Sequence, residues 1–208
     1  MSLDPKQWLM WISEIQALSQ SGLTYTTNEF DQERYTKLTL ISAEMAAAAS
    51  HNDFDFIHPL FSIVPKTYAT PRVDIRSFVL QHDKVLLVRE RADGLWTLPG
   101  GFADVNESPS EAVIRETLEE SGYLVEPCSL LAVWDKLKHD HPLEWPHIYK
   151  CIFHCNLISG EPKINLEISD IDFFSMSDIP ALSTPRITLD QLHTLYELVA
   201  NPQPTVFD

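Results

Sequence analysis

Three glutamates close together in one predicted helix are the residues of this sequence best suited to chemistry. Glu116, Glu119 and Glu120 interrupt an apolar pattern with helical spacing, and at about 100° per residue they fall within an arc of roughly 100°. Like charges at these spacings repel one another, and the helix dipole disfavours anions near a C-terminal end. A divalent cation such as Mg²⁺, which prefers hard oxygen ligands, would relieve this conflict. A solvated acidic helix face is the other interpretation of the same pattern.

The helix that carries these glutamates has clear start and stop signals. Ser108 can act as the N-cap, Pro109 occupies the first helical position, and Glu111 completes a capping box. Gly122 is suited to end the helix, because glycine adopts the left-handed conformation that helix ends require. We therefore predict a helix over residues 109–121, with one side in the core and the other side carrying the carboxylates.

The spacing of the charged residues around this helix carries a family resemblance. The segment reads Gly101, five residues, Glu107, seven residues, Arg115-Glu116, two residues, Glu119-Glu120, one residue, Gly122. It closely resembles the Nudix box, the signature of the Nudix hydrolases, and every fixed Gly, Glu and Arg of that pattern is present. Two aliphatic positions depart from the pattern, since they hold Thr117 and Tyr123. The motif requires a loop-helix-loop context.

The resemblance implies a Mg²⁺ site, with Mn²⁺ as a substitute, and a role for each box residue. Glu116 and Glu120 are expected to be the main metal ligands, with Glu119 close behind and a carbonyl of the Gly101 region as a further ligand. Hydrolysis of a P–O–P link needs a positioned water, neutralised charge at phosphorus and a stabilised leaving phosphate, which bound Mg²⁺ ions supply. Glu119 and Glu120 are accordingly also expected to take part in catalysis.

The resemblance also implies supporting residues and a general base. Arg115 and Glu107 are expected to lock the loop and the helix through a charged hydrogen-bond network, and the alternative is that Arg115 binds substrate. A general base would assist the attacking water. It lies in the box or on a later loop, where Glu167 is the candidate because related proteins carry a functional acid there. A surface glutamate without a function is the alternative interpretation of Glu167.

Cations are scarce in this chain, so their positions are informative. A basic, histidine-rich stretch follows a predicted strand and contains Lys136, Lys138, His139 and His141. It resembles a stretch of a Nudix subgroup and is a candidate for binding phosphate or the departing group, while an ordinary exposed loop is the alternative. Arg76 and Arg89 lie in predicted strands, where each either faces the diphosphate or forms a structural salt bridge.

Periodic patterns place these residues in an α/β fold. Helical spacing in the first sixty residues predicts two helices, with Gly22 as a stop and Asn28 as a cap. A connector with Pro59, Pro65 and Pro71 follows. Strands are predicted at residues 73–80, 84–90, 129–135, 147–157 and 170–174, and the first two flank a turn at residues 82–83. A last helix is predicted to begin near residue 185, with Thr184 as its cap. We predict a Nudix-type α/β/α sandwich with a mixed sheet over residues 61–208, and a helical N-terminal domain over residues 1–60.

The helical N-terminus carries a second, less specific resemblance. Residues 8–45, in which Tyr35 follows Glu33-Arg34, are similar to the extra domain of a bacterial Nudix subgroup. That subgroup is associated with CDP-choline and ADP-ribose pyrophosphatases whose members are usually dimers. The resemblance implies a homodimer, in which the N-terminal helices mediate dimerisation or cap the substrate.

Composition narrows the partners and the compartment. The chain has 30 Asp and Glu against 15 Lys and Arg, a formal net charge of −15, so neither stable nucleic-acid binding nor membrane binding is expected. No segment has the apolar length of a membrane span, and the N-terminus lacks the features of a signal peptide. The three cysteines, Cys128, Cys151 and Cys155, do not suggest a disulfide framework, and we expect buried thiols rather than a zinc site. A cytoplasmic protein is the simplest interpretation.

Together these observations predict an enzyme. The expected reaction is Mg²⁺-dependent cleavage of a nucleoside diphosphate linked to another group X, which yields a nucleoside monophosphate and phosphorylated X. CDP-choline is the first candidate substrate and ADP-ribose the second, both from the subgroup resemblance. One alternative is a Nudix-like, ligand-sensing transcription regulator without hydrolase activity, against which the complete box and the acidic chain count. Another is a scaffold whose helices only mediate assembly.

Overall fold

The computed structural model describes residues 4–50, 53–62 and 67–208. Contacts within the chain group it into two units, one of residues 1–71 with 143–147 and the other of residues 72–142 with 148–208. The domain limits expected from the sequence, 1–60 and 61–208, stay a prediction. Pro65 of the predicted connector lies outside the described residues.

Three helices build the first unit: α1 (Pro5–Tyr25), α2 (Glu29–Ser50) and α3 (Phe54–Ser62). Asn28 caps α2 as predicted, because its side-chain oxygen accepts hydrogen bonds from the backbone N–H groups of Phe30 and Asp31. A small core of buried apolar residues forms inside the unit, and its members include Ile12, Ala43 and Ile57. The helix α3 was not predicted, and it contains Pro59 in what was expected to be an irregular connector.

The predicted helix stop at Gly22 is wrong, and the reason is packing. The helix α1 continues to Tyr25, and the N–H of Thr26 closes it by donating to the carbonyl of Gly22. A Cβ atom on Gly22 would overlap the ring of Tyr35 in α2. Glycine at this position therefore lets two helices approach closely instead of ending one of them.

An eight-stranded mixed sheet forms the centre of the second unit, in the order β3-β2-β1-β6-β5-β8, with β4 paired to β1 and β7 to β2. Its strands are β1 (Arg72–Gln81), β2 (Lys84–Glu90), β3 (Trp96–Thr97), β4 (Gly100–Phe102), β5 (Tyr123–Asp135), β6 (Ile148–Gly160), β7 (Ile168–Ser175) and β8 (Val206–Phe207). The strand β1 pairs in parallel with β6 and antiparallel with β2 and β4. The mixed sheet confirms the predicted fold class.

Two helices cover the sheet, and each has its own core. One core joins Ile75 and Val79 of β1 to Val113 of α4 (Pro109–Ser121). The other joins Phe78 of β1 to Leu192 of α5 (Leu189–Ala200). Because successive side chains of a strand point to opposite faces, β1 contributes to both cores, as expected for an α/β/α sandwich.

Local signals located most helices and strands of the second unit, with two errors near the C-terminus. The turn between β1 and β2 is confirmed, with His82 and Asp83 at positive φ. The predicted start of α5 near Pro185 with Thr184 as cap is wrong, because the cap is Thr188 and residues 184–186 form a turn. The strand β8 was missed, since it is only two residues long and depends on pairing with β5. Among the described residues, no helix has the length and apolar character to cross a membrane.

Candidate active site

The helix α4 is built and anchored as its sequence signals predict. Ser108 caps it in a full capping box with Glu111, and Gly122 ends it in the left-handed conformation at φ 77°. The hydroxyl of Thr117 is fully buried and lies 2.8 Å from that of Ser77 on β1. This contact joins α4 to β1 and helps to set the rotation of the helix about its axis.

Glu120 is held against the chain that enters β4. Its Oε2 accepts a hydrogen bond of 2.8 Å from the backbone N–H of Gly100, and the residue is buried. Burial raises the pKa of Glu120 to about 7, against the attraction of Arg76 and the Gly100 hydrogen bond, while Glu90 and Glu116 raise it further. Because burial disfavours the charge of this carboxylate, a bound cation would stabilise its ionised form.

Glu116 lies one helical turn before Glu120 and faces the backbone of Gly101. A Cβ atom on Gly101 would lie 2.8 Å from Oε2 and 2.9 Å from Oε1 of Glu116, so only glycine leaves this carboxylate its space. Burial raises the pKa of Glu116, although Arg115 opposes the rise. Two partly buried carboxylates beside a glycine backbone provide only hard oxygen donors, which fits a Mg²⁺-like cation.

Arg115 contacts Glu116 and two further glutamates of the box, Glu107 and Glu119. Its Nε and Nη2 donate to the two oxygens of Glu107 at 3.0 and 2.7 Å, and its Nη1 donates to Glu116 at 2.9 Å and Glu119 at 3.2 Å. Glu107 also accepts from the N–H of Asp104 at 2.6 Å. Hydrogen bonds from Arg115, with that of Asp104, lower the pKa of Glu107 to about 2. The guanidinium therefore ties the loop before α4 to the helix itself.

The glutamates are thus engaged by the chain's own donors. Glu119 is the most exposed of the three, with 59% of its side chain accessible. Within residues 4–50, 53–62 and 67–208, no group of three His, Cys, Asp or Glu side chains is already gathered around one point. Arg115 contacts one oxygen of Glu116 and one of Glu119, and the Gly100 N–H contacts one oxygen of Glu120.

The structure brings the loop of Glu167 to the C-terminal turn of α4. Asn165 donates from its side-chain amide to the carbonyl of Glu119 at 2.7 Å, and its Oδ1 accepts from the N–H of Glu167 at 2.8 Å. Glu167 itself is exposed, and its carbonyl accepts from the N–H of Arg91. Glu167 is therefore close in the chain to a residue that touches the box, while its role as a base stays a prediction.

The four residues of the basic stretch do not share one environment. Lys136 and His141 are buried, Lys138 is exposed, and His139 is half-buried. The alternative of an ordinary exposed loop is therefore wrong for Lys136 and His141.

Each histidine of the stretch has a partner within the second unit. The ring of His139 lies 5.2 Å from that of Trp134, with the two planes tilted by 53°, and its Nε2 lies 3.2 Å from Asp208. His141 donates from Nδ1 to the carbonyl of Thr184 at 2.6 Å, and burial lowers the pKa of His141 to about 4. These contacts hold the stretch in place, and its binding of phosphate stays a prediction.

The two arginines in strands have different surroundings. Arg76 is buried, with its Nε 2.9 Å from Asp74 and its Nη1 donating to the carbonyl of Leu98 at 3.0 Å. Arg89 is exposed and donates to the carbonyl of Gly94 at 2.8 Å. For Arg76 the structure contains the salt bridge that was the alternative to substrate binding, whereas Arg89 has no ion pair among the described residues.

Several buried charges near the box escaped the sequence analysis. Lys150 of β6 forms an ion pair with Asp74 and is 1% exposed. Burial lowers the pKa of Lys150 to about 8, against the attraction of Asp74. Glu90 is also buried and pairs with Arg186 at 2.8 Å. The available signal was a charged residue inside an otherwise apolar strand, which is rare without a partner.

The expectation of buried thiols is confirmed for Cys155, whereas Cys151 is half-buried and Cys128 is exposed. Cys151 and Cys155 pack with the core on the α4 side, and the structure has three free thiols: Cys128, Cys151 and Cys155. Burial raises the pKa of Cys155 to about 12, which keeps the thiol protonated.

Comparison with known proteins agrees with the fold. The family model of the NUDIX domain matches residues 70–194, and a model described as "UDP-X-like, N-terminal oligomerisation domain" matches residues 6–61. The fold and the carboxylate helix define a Nudix-type hydrolase. The chain belongs to the Nudix family, and it is an enzyme of the pyrophosphatase class within it.

Three relatives cover much of the chain. A Bacillus subtilis (strain 168) protein named "Putative ADP-ribose pyrophosphatase YjhB" is 40% identical over 203 residues, which is 97% of either chain. A crystal structure of a UDP-X diphosphatase is similar over 99% of this chain and 100% of its own, with 32% identity and a TM-score of 0.65. An ADP-ribose pyrophosphatase of Streptococcus suis 89-1591 covers 67% of this chain and 100% of its own, at 38% identity and a TM-score of 0.62.

Proposed function

We propose that this enzyme uses Mg²⁺ to hydrolyse a nucleoside diphosphate linked to a group X, which yields a nucleoside monophosphate and phosphorylated X. The observation that carries the proposal is the pair Glu116 and Glu120, whose partly buried carboxylates lie beside Gly101 and Gly100. When bound, Mg²⁺, or Mn²⁺ in its place, would neutralise the diphosphate and lower the pKa of the attacking water.

The box residues have distinct tasks in this proposal. Glu116 and Glu120 hold the cation, with Glu119 and a carbonyl at Gly101 as further donors. Arg115 and Glu107 keep the loop and the helix together, because their bidentate pair spans both. Arg115 already forms ion pairs with four carboxylates, which supports this structural task over substrate binding.

Glu167 is the proposed general base outside the box. Its support is the contact of its neighbour Asn165 with Glu119, which places this loop at the end of the carboxylate helix. The exposed Arg89 and Lys138 remain candidates for contact with substrate phosphates, together with His139. The buried Lys136, His141 and Arg76 are better suited to act through neighbouring residues.

ADP-ribose is the first substrate we propose, followed by UDP-linked compounds and CDP-choline. The names of the B. subtilis and S. suis relatives point to ADP-ribose, and the name of the similar crystal structure, a UDP-X diphosphatase, points to UDP-linked compounds. CDP-choline rests only on the likeness of the helical N-terminus to a subgroup associated with it. No observation favours a regulator, and the acidic chain counts against DNA binding.

The test is a substrate panel with purified protein and Mg²⁺. ADP-ribose, UDP-glucose, CDP-choline and related diphosphates are incubated separately, and the monophosphate products are separated by chromatography. We expect ADP-ribose to give AMP and ribose 5-phosphate with the highest kcat/KM. Faster cleavage of a UDP- or CDP-linked compound would make that compound the proposed substrate in place of ADP-ribose. If no compound of the panel is cleaved, the proposed reaction is refuted.

We further propose that the chain forms a homodimer through its N-terminal helices, in the cytoplasm. Apolar side chains recur on one face of α1 and remain exposed: Trp8, Trp11, Leu18 and Tyr25. Such a stripe on a helix indicates a protein contact, and the family model for residues 6–61 describes an oligomerisation domain. The free thiols fit a reducing compartment.

A further inference from the structure

A buried cluster of charges connects the central strands to the chain segment that holds Glu120. Asp74 of β1 is its centre, because its two oxygens contact Arg76 and Lys150 separately. Burial is the largest single effect on the pKa of Asp74 and raises it. Arg76 and Lys150 together outweigh burial and hold this pKa below its usual range. All three side chains are at most 8% exposed, so both cations help to offset the cost of burying the carboxylate.

Arg76 extends this cluster to the backbone before β4. While its Nε contacts Asp74, its Nη1 donates to the carbonyl of Leu98 at 3.0 Å. The next residues are held on β1 as well, since the N–H of Ser77 donates to the carbonyl of Pro99 at 2.9 Å. Gly100 is paired with Arg76 in the sheet register. The path of residues 98–100 is therefore set largely by Arg76 and Ser77.

The same segment supplies the contact that places Glu120. The N–H of Gly100 donates to Oε2 of Glu120 at 2.8 Å. The positive charge of Arg76 also attracts the Glu120 carboxylate, which is the largest effect opposing its burial. Lys150 thus acts on Glu120 through Asp74, Arg76 and Leu98, without a contact of its own with the box.

We propose that Asp74, Arg76 and Lys150 are positioning residues that set the affinity of the Glu116–Glu120 site for its divalent cation, and that Arg76 does not bind substrate. The proposal rests on the proposed Mg²⁺-dependent function. Residues that orient metal ligands in this way typically change metal affinity or activity by about 10- to 100-fold when they are replaced.

Two substitutions test the cluster from opposite ends. Arg76→Lys keeps the charge but loses the fork that reaches Asp74 and Leu98 together. Lys150→Met removes the remote cation with little change of shape and leaves the Asp74–Arg76 pair. The matched controls are Arg34→Lys and Lys84→Met, both at exposed positions outside the cluster.

The measurements separate positioning from substrate binding and from stability alone. Binding of Mn²⁺ alone is followed by calorimetry, and the Mg²⁺ dependence, kcat and KM are measured with the substrate that the panel identifies. We expect both variants to weaken Mn²⁺ binding about tenfold or more, with KM for substrate within about twofold of the parent. In a Glu120→Gln background, Arg76→Lys should cause no further loss of Mn²⁺ affinity.

Other outcomes would overturn the inference. A raised KM with unchanged Mn²⁺ affinity would make Arg76 a substrate-binding residue. A lowered melting temperature with unchanged Mn²⁺ affinity would reduce the cluster to a structural salt bridge. If the parent protein binds Mn²⁺ but cleaves no compound, the proposed function fails, while the calorimetry still decides whether the cluster controls the cation.

Discussion

At the scale of single residues, Glu120 shows how position gives a carboxylate a function. Its charge is disfavoured by burial and by Glu116 and Glu90, and it is favoured by Arg76 and the Gly100 N–H. The balance leaves a pKa of about 7. Glu119, by contrast, is exposed, and its side chain accepts a hydrogen bond from Arg115. Two glutamates adjacent in the chain thus differ in burial and partners, and the buried one is better prepared for a cation.

The first prediction concerns the charge of Glu120. Glu120→Gln should lower kcat/KM by at least about a hundredfold, because it removes a proposed ligand and not merely a residue that orients one. The fold should persist, since glutamine keeps the shape and can accept from the Gly100 N–H. Steady-state kinetics and circular dichroism check both parts, with the exposed Glu126→Gln as control. Activity near that of the parent would remove Glu120 from the metal site.

The second prediction concerns pH and uses the same variant in the absence of divalent cations. Folding raises the pKa of Glu120 from 4.5 to about 7, so the folded state binds more protons over this range. The unfolding free energy contributed by Glu120 should therefore fall as pH rises from about 4.5 to 7, by on the order of 3 kcal/mol at most.

A difference measurement is needed, because His141 acts in the opposite direction. Its pKa is lowered from 6.5 to about 4, so it contributes stability that is lost as pH falls through that range. Urea unfolding of the parent and of Glu120→Gln in EDTA at several pH values isolates Glu120. The parent should lose stability relative to the variant as pH rises, and parallel curves would contradict the assignment.

At the scale of elements, the two glycines that enter and begin β4 have different tasks. Gly100 has φ 140°, and a Cβ atom there would meet the backbone of Ile75 and of Arg76. At Gly101 a Cβ atom would meet only the movable end of Glu116. Backbone atoms cannot move aside as the end of a side chain can. Gly100 is therefore required by the fold, whereas Gly101 leaves space for the proposed ligand Glu116.

The third prediction follows from this difference. Gly101→Ala should fold with nearly unchanged stability and lose about tenfold or more in kcat and in Mn²⁺ affinity, because the Glu116 carboxylate must move. Gly100→Ala should instead lose on the order of 3 kcal/mol or more of stability. Thermal unfolding with calorimetric Mn²⁺ titration compares them, and an active, metal-binding Gly101→Ala protein would contradict the proposed crowding.

At the scale of the whole molecule, the helical unit leaves apolar surface unused. Its core is small, and the α1 stripe remains outside it, with Leu18 62% exposed and Tyr25 69% exposed. Two or three helices alone rarely bury enough apolar surface to form a stable folded unit. A second copy of the chain is the partner proposed for this stripe.

The fourth prediction tests that partner. Leu18→Glu places a charge in the apolar stripe and should shift the protein from two chain masses towards one in light scattering. The neighbouring Glu14→Gln, at an exposed position of the same helix, should leave the mass unchanged. A Leu18→Glu protein that keeps two chain masses would place the contact elsewhere, and a parent with one chain mass would refute the homodimer.

The sequence by itself determined the elements whose signals are local. The caps of α4, the turn at residues 82–83 and the strand β2 were all predictable, because each depends on a few neighbouring residues. The acidic arc of α4 was predictable for the same reason, since helical geometry relates residues three and four apart. The box spacing added the family, which the comparisons confirm.

Only the tertiary structure decided which residues meet across elements. Gly22 predicts a helix stop from the sequence alone, but in the fold Tyr35 packs against it. Thr184 was predicted as the cap of α5, but in the fold Thr188 caps the helix. The cluster joins Asp74 and Arg76 of β1 to Lys150 of β6, which is 74 to 76 residues further along the chain. No local pattern encodes such a contact, because buried charges are tolerated only when the fold brings their partners to them.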